Sequence, residues 1–341
     1  MITVQRHFPL KEYNTFGISA FAKAYTATST LQQLKEALSY FKDECVFLLG
    51  GGSNMLLTKD VDKPVIHVLL KGIEAVEKQA DNVYLKVMAG ENWHQLVMYC
   101  VAKNLGGMEN MALIPGNVGT APIQNIGAYG VELKDIFHSC EVMHIKNQEV
   151  KELHLADCNF GYRESIFKND FLGQYVITSV TFKLTDLNLQ EQYRFKTGYG
   201  DIKAELEKLG AVTLETVAQA VINIRSSKLP DPAVLGNSGS FFKNPIITSE
   251  LYDRLLNRFP DMPHYHVNNH QVKVPAGWLI DQCGLKGFRK GDAAVHERQA
   301  LVLVNHGNAS GDEVLAMATH VQKTVMERYG IQIETEVNVI S

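Results

Sequence analysis

Ile114-Pro-Gly-Asn-Val-Gly-Thr-Ala-Pro-Ile-Gln-Asn-Ile-Gly-Ala-Tyr-Gly130 decides the reading of this chain. It holds Gly116, Gly119, Gly127 and Gly130, two prolines and no charged side chain. Each glycine inside a helix or strand costs about 0.5–1 kcal/mol against alanine, so the run is a poor helix and a poor strand. Polar Asn117, Thr120, Gln124 and Asn125 alternate with apolar residues. Such a segment bares backbone N–H groups for close approach, and phosphate is the commonest partner of such turns. An ordinary glycine-rich connection is the competing reading.

Working outward, a second stretch supports the ligand reading. Cys45-Val-Phe-Leu-Leu49 reads as a short buried strand. It runs into Gly50-Gly-Gly-Ser-Asn54 and then apolar Met55-Leu-Leu57. Neither G-x-G-x-x-G nor a Gly-Lys-Ser/Thr phosphate loop is present. Two separate backbone-approach loops suggest a diphosphate held by both, as in a dinucleotide.

The two stretches together resemble the FAD-binding domain of the vanillyl-alcohol-oxidase (PCMH) type. Pro122-Ile-Gln-Asn-Ile-Gly-Ala-Tyr-Gly130 resembles the UDP-N-acetylenolpyruvylglucosamine reductase family within it. Further matching motifs follow in order: Phe160-Gly-Tyr-Arg-Glu-Ser165, Lys228-Leu-Pro-Asp-Pro232, Gly239-Ser-Phe-Phe-Lys-Asn-Pro245, Ala276-Gly-Trp-Leu-Ile-Asp281 and Glu336-Val337. They span essentially the whole chain.

Bulk properties agree. The chain has 341 residues, room for about two or three domains. Its net charge of −4 offers no electrostatic case for nucleic acid or an anionic membrane. Five scattered cysteines without C-x-x-C support neither a disulfide framework nor a zinc site, and no metal is expected. No apolar run approaches the ~20 residues of a membrane span. A soluble, cytoplasmic protein is expected, and a monomer.

Periodicity gives an α+β order. Leu31, Leu34, Leu38 and Phe41 form a helical stripe behind Thr30 as N-cap. Trp93, Leu96, Val97, Cys100 and Val101 mark a helix ending near Gly106. Strands are expected over 65–70, 83–89, 141–145, 150–155 and 175–184. A polar stretch near 186–192 suggests the domain boundary: an FAD-binding domain over 16–187 and an α+β substrate-binding domain over 188–341. In the second, helices are expected over 201–209, 216–227 and 249–259, then a loop over 260–270. Ser310-Gly-Asp-Glu313 reads as a capping box for a helix to Tyr329. A last strand over 331–340 alternates Ile331, Ile333, Val337 and Val339 with polar residues; the resemblance implies that it returns to the active site.

The resemblance assigns roles. Non-covalent FAD is expected at Gly50, Gly51, Gly52, Ser53 and Asn54, and at Pro115, Gly116, Asn117, Gly119 and Thr120. Gln124, Asn125, Gly127, Ala128, Tyr129 and Arg225 join them. Arg163, otherwise a surface arginine paired with Glu164, polarises the substrate carboxylate. Ser240, otherwise a turn hydrogen-bonder, becomes a proton donor. Glu336, otherwise on a solvated face, stabilises the enol, with Asn338 where some relatives carry a basic residue. Tyr162, Lys228, Lys243, Asn244, Tyr265, Lys273 and Gln299 fall where relatives bind substrate. Tyr199, in Thr197-Gly-Tyr-Gly200, is either an exposed turn or a lid. The implied reaction is NADPH-dependent, FAD-mediated reduction of UDP-N-acetylglucosamine enolpyruvate to UDP-N-acetylmuramate, a peptidoglycan precursor. Hydride goes to C3 and a proton from Ser240 to C2. An oxidase of the same fold and a non-catalytic nucleotide-sugar-binding protein are the alternatives.

Overall fold

A computed structural model describes residues 1–190 and 192–341. The chain packs as two units threaded from separate segments. The first contains Met1–Phe8, Ala22–Gly51 and Asp62–Ser227; the second contains Pro9–Phe21, Gly52–Val61 and Lys228–Ser341.

The first unit has two lobes. In one, strands Gln5–Pro9, Phe21–Thr28, Val61–Val68 and Phe47–Leu49 form a sheet in that order. Helix Leu31–Tyr40 lays Leu34, Ala37 and Leu38 into a core with Ile66 and Val68. Its Thr30 cap accepts from Gln33 N–H, satisfying one of the donors a helix start leaves orphaned. Phe47–Leu49 pairs in parallel with Val65–His67, so the first glycine stretch leaves the end of a buried strand.

The second lobe is built on Tyr175–Asp186, a 12-residue strand with few exposed positions. It runs between Phe137–His144 and Asn82–Met88, both antiparallel to it. Its interior neighbours include Trp93, Leu96 and Val97 of helix Trp93–Ala102. Helices Ile202–Leu209 and Leu214–Lys228 add Ile202, Leu206, Val217, Val221 and Ile224 to the same core.

That packing moves the boundary expected at 187/188. Asp186 of the polar stretch is buried at the end of strand Tyr175–Asp186, residue 191 lies outside the described residues, and the units divide at Ser227/Lys228. The expected start at residue 16 moves as well. Asn305 Nδ2 donates to Phe16 O at 2.9 Å and Asn237 N–H to Thr15 O at 2.9 Å, holding residues 9–21 in the second unit.

In the second unit, strands Gly236–Ser240, Val302–Asn305, Ala293–Val295 and Arg289–Lys290 form a sheet under helix Gly311–Tyr329. The expected capping box is present: Ser310 Oγ accepts from Glu313 N–H, and Glu313 accepts from Ser310 N–H. Gly311 is required by close approach, because a Cβ there would overlap the Leu57 carbonyl. Asn338–Ile340 pairs in parallel with Met55–Leu57.

Some expected elements are shorter or different. The strand expected over 45–49 is Phe47–Leu49, and the long last strand is regular only over Asn338–Ile340. Ile331, Ile333 and Val337 are buried as alternation requires, but Val339 is 37% exposed. The helix expected to reach Gly106 stops at Ala102, and Leu105–Gly106 pairs with Thr185–Asp186 instead. The loop expected over 260–270 contains strand Tyr265–Asn268, whose residues are all exposed and give no periodicity to read. Among the described residues, no helix is long and apolar enough to cross a membrane, no group of three His/Cys/Asp/Glu side chains could hold a metal, and all five cysteines are free thiols.

Candidate functional site

The long glycine stretch of the first unit is a run of tight backbone approaches. His94 Nδ1 accepts the N–H of Leu113 at 3.0 Å, holding that residue at φ +59° where the stretch begins. Burial first, then Arg225, lowers the His94 pKa, keeping the acceptor form of the ring. Trp93 N–H donates to Gly116 O, Val118 N–H to Glu91 O and Gly119 N–H to Ala89 O, at 3.0, 2.9 and 2.9 Å. Val118–Gln124 then coils as a 3-10 helix, and Asn125 ends it in the left-handed region at φ +42°.

The two glycine stretches meet within this unit. A Cβ on Gly51 would lie 2.9 Å from Gly116 Cα, and one on Gly50 would lie 2.5 Å from the Thr120 methyl. A Cβ on Gly119 would lie 2.5 Å from Ala89 Cβ. The missing Cβ of Gly127 leaves room for the Val131 carbonyl and Glu132, at 2.7 and 3.0 Å, in the hairpin Gly127–Ala128/Val131–Glu132. The glycine serves the protein's own turn. Asn125 also turns inward. Its amide donates to Glu132 Oε2 and Gly161 O at 3.0 and 2.9 Å, and its Oδ1 accepts Lys134 N–H at 3.0 Å.

A cavity of about 850 Å³ opens beside these loops, inside the first unit. Gly50, Gly119, Thr120 and Ile123 line one part of it, and Leu48, Val68, Tyr175, Val176 and Ile177 give apolar walls. Its size and mostly apolar lining are those of a cofactor site. Of the residues expected at FAD, only Gly50, Gly119 and Thr120 are among its walls. The apolar walls escaped the sequence reading because they look like ordinary strand core. Pro115 is exposed, while Gly116, Asn117, Gln124, Ala128 and Tyr129 are half-buried.

Cationic groups gather at the far end of the stretch. Arg163, itself at φ +58°, donates to Gly127 O at 3.1 Å and to Asn125 O at 3.5 Å, beside Tyr162. Arg225 has an enclosed Nε with no hydrogen-bond partner. Burial lowers its pKa, Tyr129 opposing and Arg163 adding to the effect. Two guanidiniums close enough to repel, one with an unused donor, suit an electron-rich group with acceptor atoms. Together with the glycine cradle and the apolar cavity, these residues fit FAD. Tyr199 is 47% exposed and rests edge-on to Tyr129, with ring centroids 6.1 Å apart.

The second unit assembles its own group. In strand Gly236–Ser240 the register slips between Asn237, opposite Val304, and Ser240, opposite Val302. Gly239 sits at φ +68° in this bulge, with its N–H on Asn237 Oδ1 at 2.9 Å. Bulges re-aim the side chains that follow, here half-buried Ser240. Glu336 N–H donates to Phe241 O at 2.8 Å and Thr335 bridges Phe242, which brings the Glu336 segment alongside Ser240. Asn54 belongs to the same group: its Nδ2 reaches Glu336 O at 3.4 Å, and Asn338 Nδ2 donates to Asn54 O at 2.9 Å. Asn338 thus ties the end of the chain to the Gly52-Ser53-Asn54 stretch.

The remaining expected substrate residues lie in this unit. Lys243 pairs with Glu334 at 3.4 Å. Lys273 is opposite Tyr265 in the small sheet, its Nζ 5.9 Å from the ring centroid. Asn244 Oδ1 accepts Ala276 N–H at 2.9 Å, starting helix Ala276–Gln282. Gln299 Oε1 accepts Leu301 N–H at 3.3 Å, and exposed Lys228 ends its helix. Sequence reasoning missed His94, Ser165 (Oγ to Ile123 O, 2.6 Å) and the buried pair Glu109–Asn110. A charge beside the apolar residues 111–114 was the only signal for the pair.

Comparison with known proteins agrees with this geometry. A family profile described as an FAD binding domain matches residues 22–153, and one described as the C-terminal domain of UDP-N-acetylenolpyruvoylglucosamine reductase matches 231–340. A protein of that name from Flavobacterium johnsoniae is 56% identical over 339 residues, 99% of each chain. One from Chromobacterium violaceum is 46% identical over 332 residues, 96% of each. The crystal structure of the Thermus caldophilus enzyme superposes with a TM-score of 0.69 over all of both chains, at 26% identity. An FAD-binding domain of the vanillyl-alcohol-oxidase type, a matching C-terminal domain and whole-length relatives of one name make this chain a member of the UDP-N-acetylenolpyruvoylglucosamine reductase family of FAD-dependent oxidoreductases.

Proposed function

We propose that the chain reduces UDP-N-acetylglucosamine enolpyruvate to UDP-N-acetylmuramate with NADPH, in the cytoplasm and as a monomer. FAD, when bound, supplies a two-electron carrier between the nicotinamide and the enolpyruvyl group. The protein provides position and proton control. Arg163 takes the substrate carboxylate with its planar fork, its guanidinium anchored on the Gly127 and Asn125 carbonyls and its backbone in the left-handed region. As hydride arrives at C3, negative charge spreads from C2 into that carboxylate. Ser240 donates the proton that C2 requires; an enolate carbon is basic enough to take it from a well-placed hydroxyl. Glu336 stabilises the enol by hydrogen bonding. Lys228, Lys243, Lys273, Asn244, Tyr265 and Gln299 hold the UDP-sugar, Tyr162 the region beside Arg163, and Tyr199 closes on the bound substrate. Gly50, Gly51, Gly52, Ser53, Asn54, Pro115, Gly116, Asn117, Gly119, Thr120, Gln124, Asn125, Gly127, Ala128, Tyr129 and Arg225 hold FAD.

The observation that carries this reading is the bulged strand that sets Ser240 beside the Glu336 segment. The test separates the half-reactions. In Ser240→Ala, anaerobic flavin bleaching by NADPH should run at the wild-type rate. Reoxidation by the enolpyruvyl substrate should slow by about 10²–10⁴-fold, the loss typical of a general acid. Ser240→Cys should recover part of that rate. Slow bleaching, or reoxidation at the wild-type rate, would make Ser240 structural.

A further inference from the structure

The segment that carries Tyr199 is fastened by two residues with no role in the mechanism above. Glu109 is 3% exposed, an unusual burial for a carboxylate. Its Oε2 accepts Gly107 N–H and its Oε1 accepts the Tyr193 hydroxyl, both at 2.7 Å. Burial and the Glu109 charge push the Tyr193 phenol pKa upward, so it remains a donor. The Tyr193 ring packs against Gly106, where a Cβ would lie 2.7 Å from it.

Asn110, 1% exposed, spends its amide on two carbonyls. One is Tyr129 O in the glycine stretch at 3.0 Å; the other is Lys196 O at 2.7 Å. Its own Oδ1 is buried without a partner, so the side chain is held by its donors alone. Lys196 is tied again by Asp135 at 3.6 Å. Further along, Gly198 and Gly200 have open space where a Cβ would be, and Gly200 is at φ +57°. Tyr199 lies between them.

We infer that Glu109 and Asn110 are positioning residues. They clamp residues 193–196 to the glycine stretch, so that closure is confined to a short glycine-flanked tip that carries Tyr199. The inference rests on the proposed lid role of Tyr199, through which the clamp acts on substrate.

Tyr193→Phe removes one hydroxyl and keeps the ring packing. A hydrogen bond to a charged group holds such a docking equilibrium by about ten- to a hundredfold. In the FAD-loaded protein without substrate, trypsin should cut after exposed Arg194 and Lys196 about tenfold faster in this variant. FAD content and bleaching by NADPH should stay at wild-type values. Half-saturation of the substrate half-reaction should rise about tenfold, with the saturated rate kept, because substrate re-docks the tip. Glu109→Gln, whose amide can still pair with both Gly107 and Tyr193, should stay within about threefold of wild type in both readouts. Wild-type cleavage in Tyr193→Phe overturns the clamp. So does equal damage to FAD content and bleaching, which is what a merely structural role produces. If Tyr199→Ala leaves half-saturation unchanged while Tyr193→Phe still speeds cleavage, the lid reading falls and the clamp stands.

Discussion

Replacing Asn125 should cost the first unit more than its neutral, unremarkable chemistry suggests. The residue is fully buried at φ +42° and makes three side-chain hydrogen bonds, to Glu132, Gly161 and Lys134. Two are neutral and contribute about 1 kcal/mol each; the one to the Glu132 carboxylate contributes about 1.5–3 kcal/mol. Alanine loses all three and pays about 1 kcal/mol more for left-handed backbone that asparagine tolerates. Glu132 is part-exposed, so water recovers some of this, leaving a loss of roughly 3–5 kcal/mol for Asn125→Ala. That is a large part of the ~5–15 kcal/mol stability of a typical domain. Asn125→Gly loses the same bonds without the backbone strain and should be about 1 kcal/mol better than alanine. Asn125→Asp keeps the Lys134 bond but sets oxygen against Glu132 and Gly161, so its deficit should shrink as acid protonates the new carboxyl. Urea unfolding of all three, followed by circular dichroism and by flavin release, measures the differences. The reasoning fails if Asn125→Ala unfolds within 1 kcal/mol of wild type, or if glycine is worse than alanine.

Gly119→Ala should lower FAD content, since its methyl would sit 2.5 Å from Ala89 Cβ; overpacking of this kind costs about 1–3 kcal/mol, and flavin absorbance per mole of protein reads it. Lys243→Ala should weaken UDP binding in calorimetry by about tenfold while FAD content holds; unchanged affinity would remove Lys243 from the substrate set. Stability should fall as pH drops below about 6.5. Burial lowers the pKa of His67, His94 and His296, so each contributes stability that is present above the unfolded value and lost as pH falls toward the folded one. Urea midpoints at pH 7.5 and 5.5 test this, and His94→Gln should flatten part of the difference.

Much of this was legible because local rules and tertiary packing agreed. Thr30 and Ser310 cap the helices that their spacing announced, and the two glycine stretches do meet backbone to backbone. What escaped the sequence depends on contacts far apart in the chain. Nothing local says that 9–21 packs with 228–341, since the ties are Thr15 to Asn237 and Phe16 to Asn305. The part Gly127 plays in its own hairpin is hidden in the sequence, because a missing Cβ looks the same whether cofactor or carbonyl fills it. The inward hydrogen bonds of Asn125 are hidden for a similar reason, since its three partners lie 7, 9 and 36 positions away. Glu109 gave only a charge beside apolar residues, because a single buried carboxylate is explained by the Tyr193 and Gly107 groups that donate to it.

The pairing of Met55–Leu57 with Asn338–Ile340 has a consequence for biosynthesis. Thr58 and Ile340, which close this pair, are 282 positions apart. At about 5–20 residues per second on the ribosome, the first strand waits roughly 15–60 s for its partner. During that time Leu56 and Leu57, both 0% exposed in the finished fold, have an unpaired edge. A nascent chain should therefore recruit a holdase or aggregate through this strand, and a stop codon at position 338 should leave the lesion permanent.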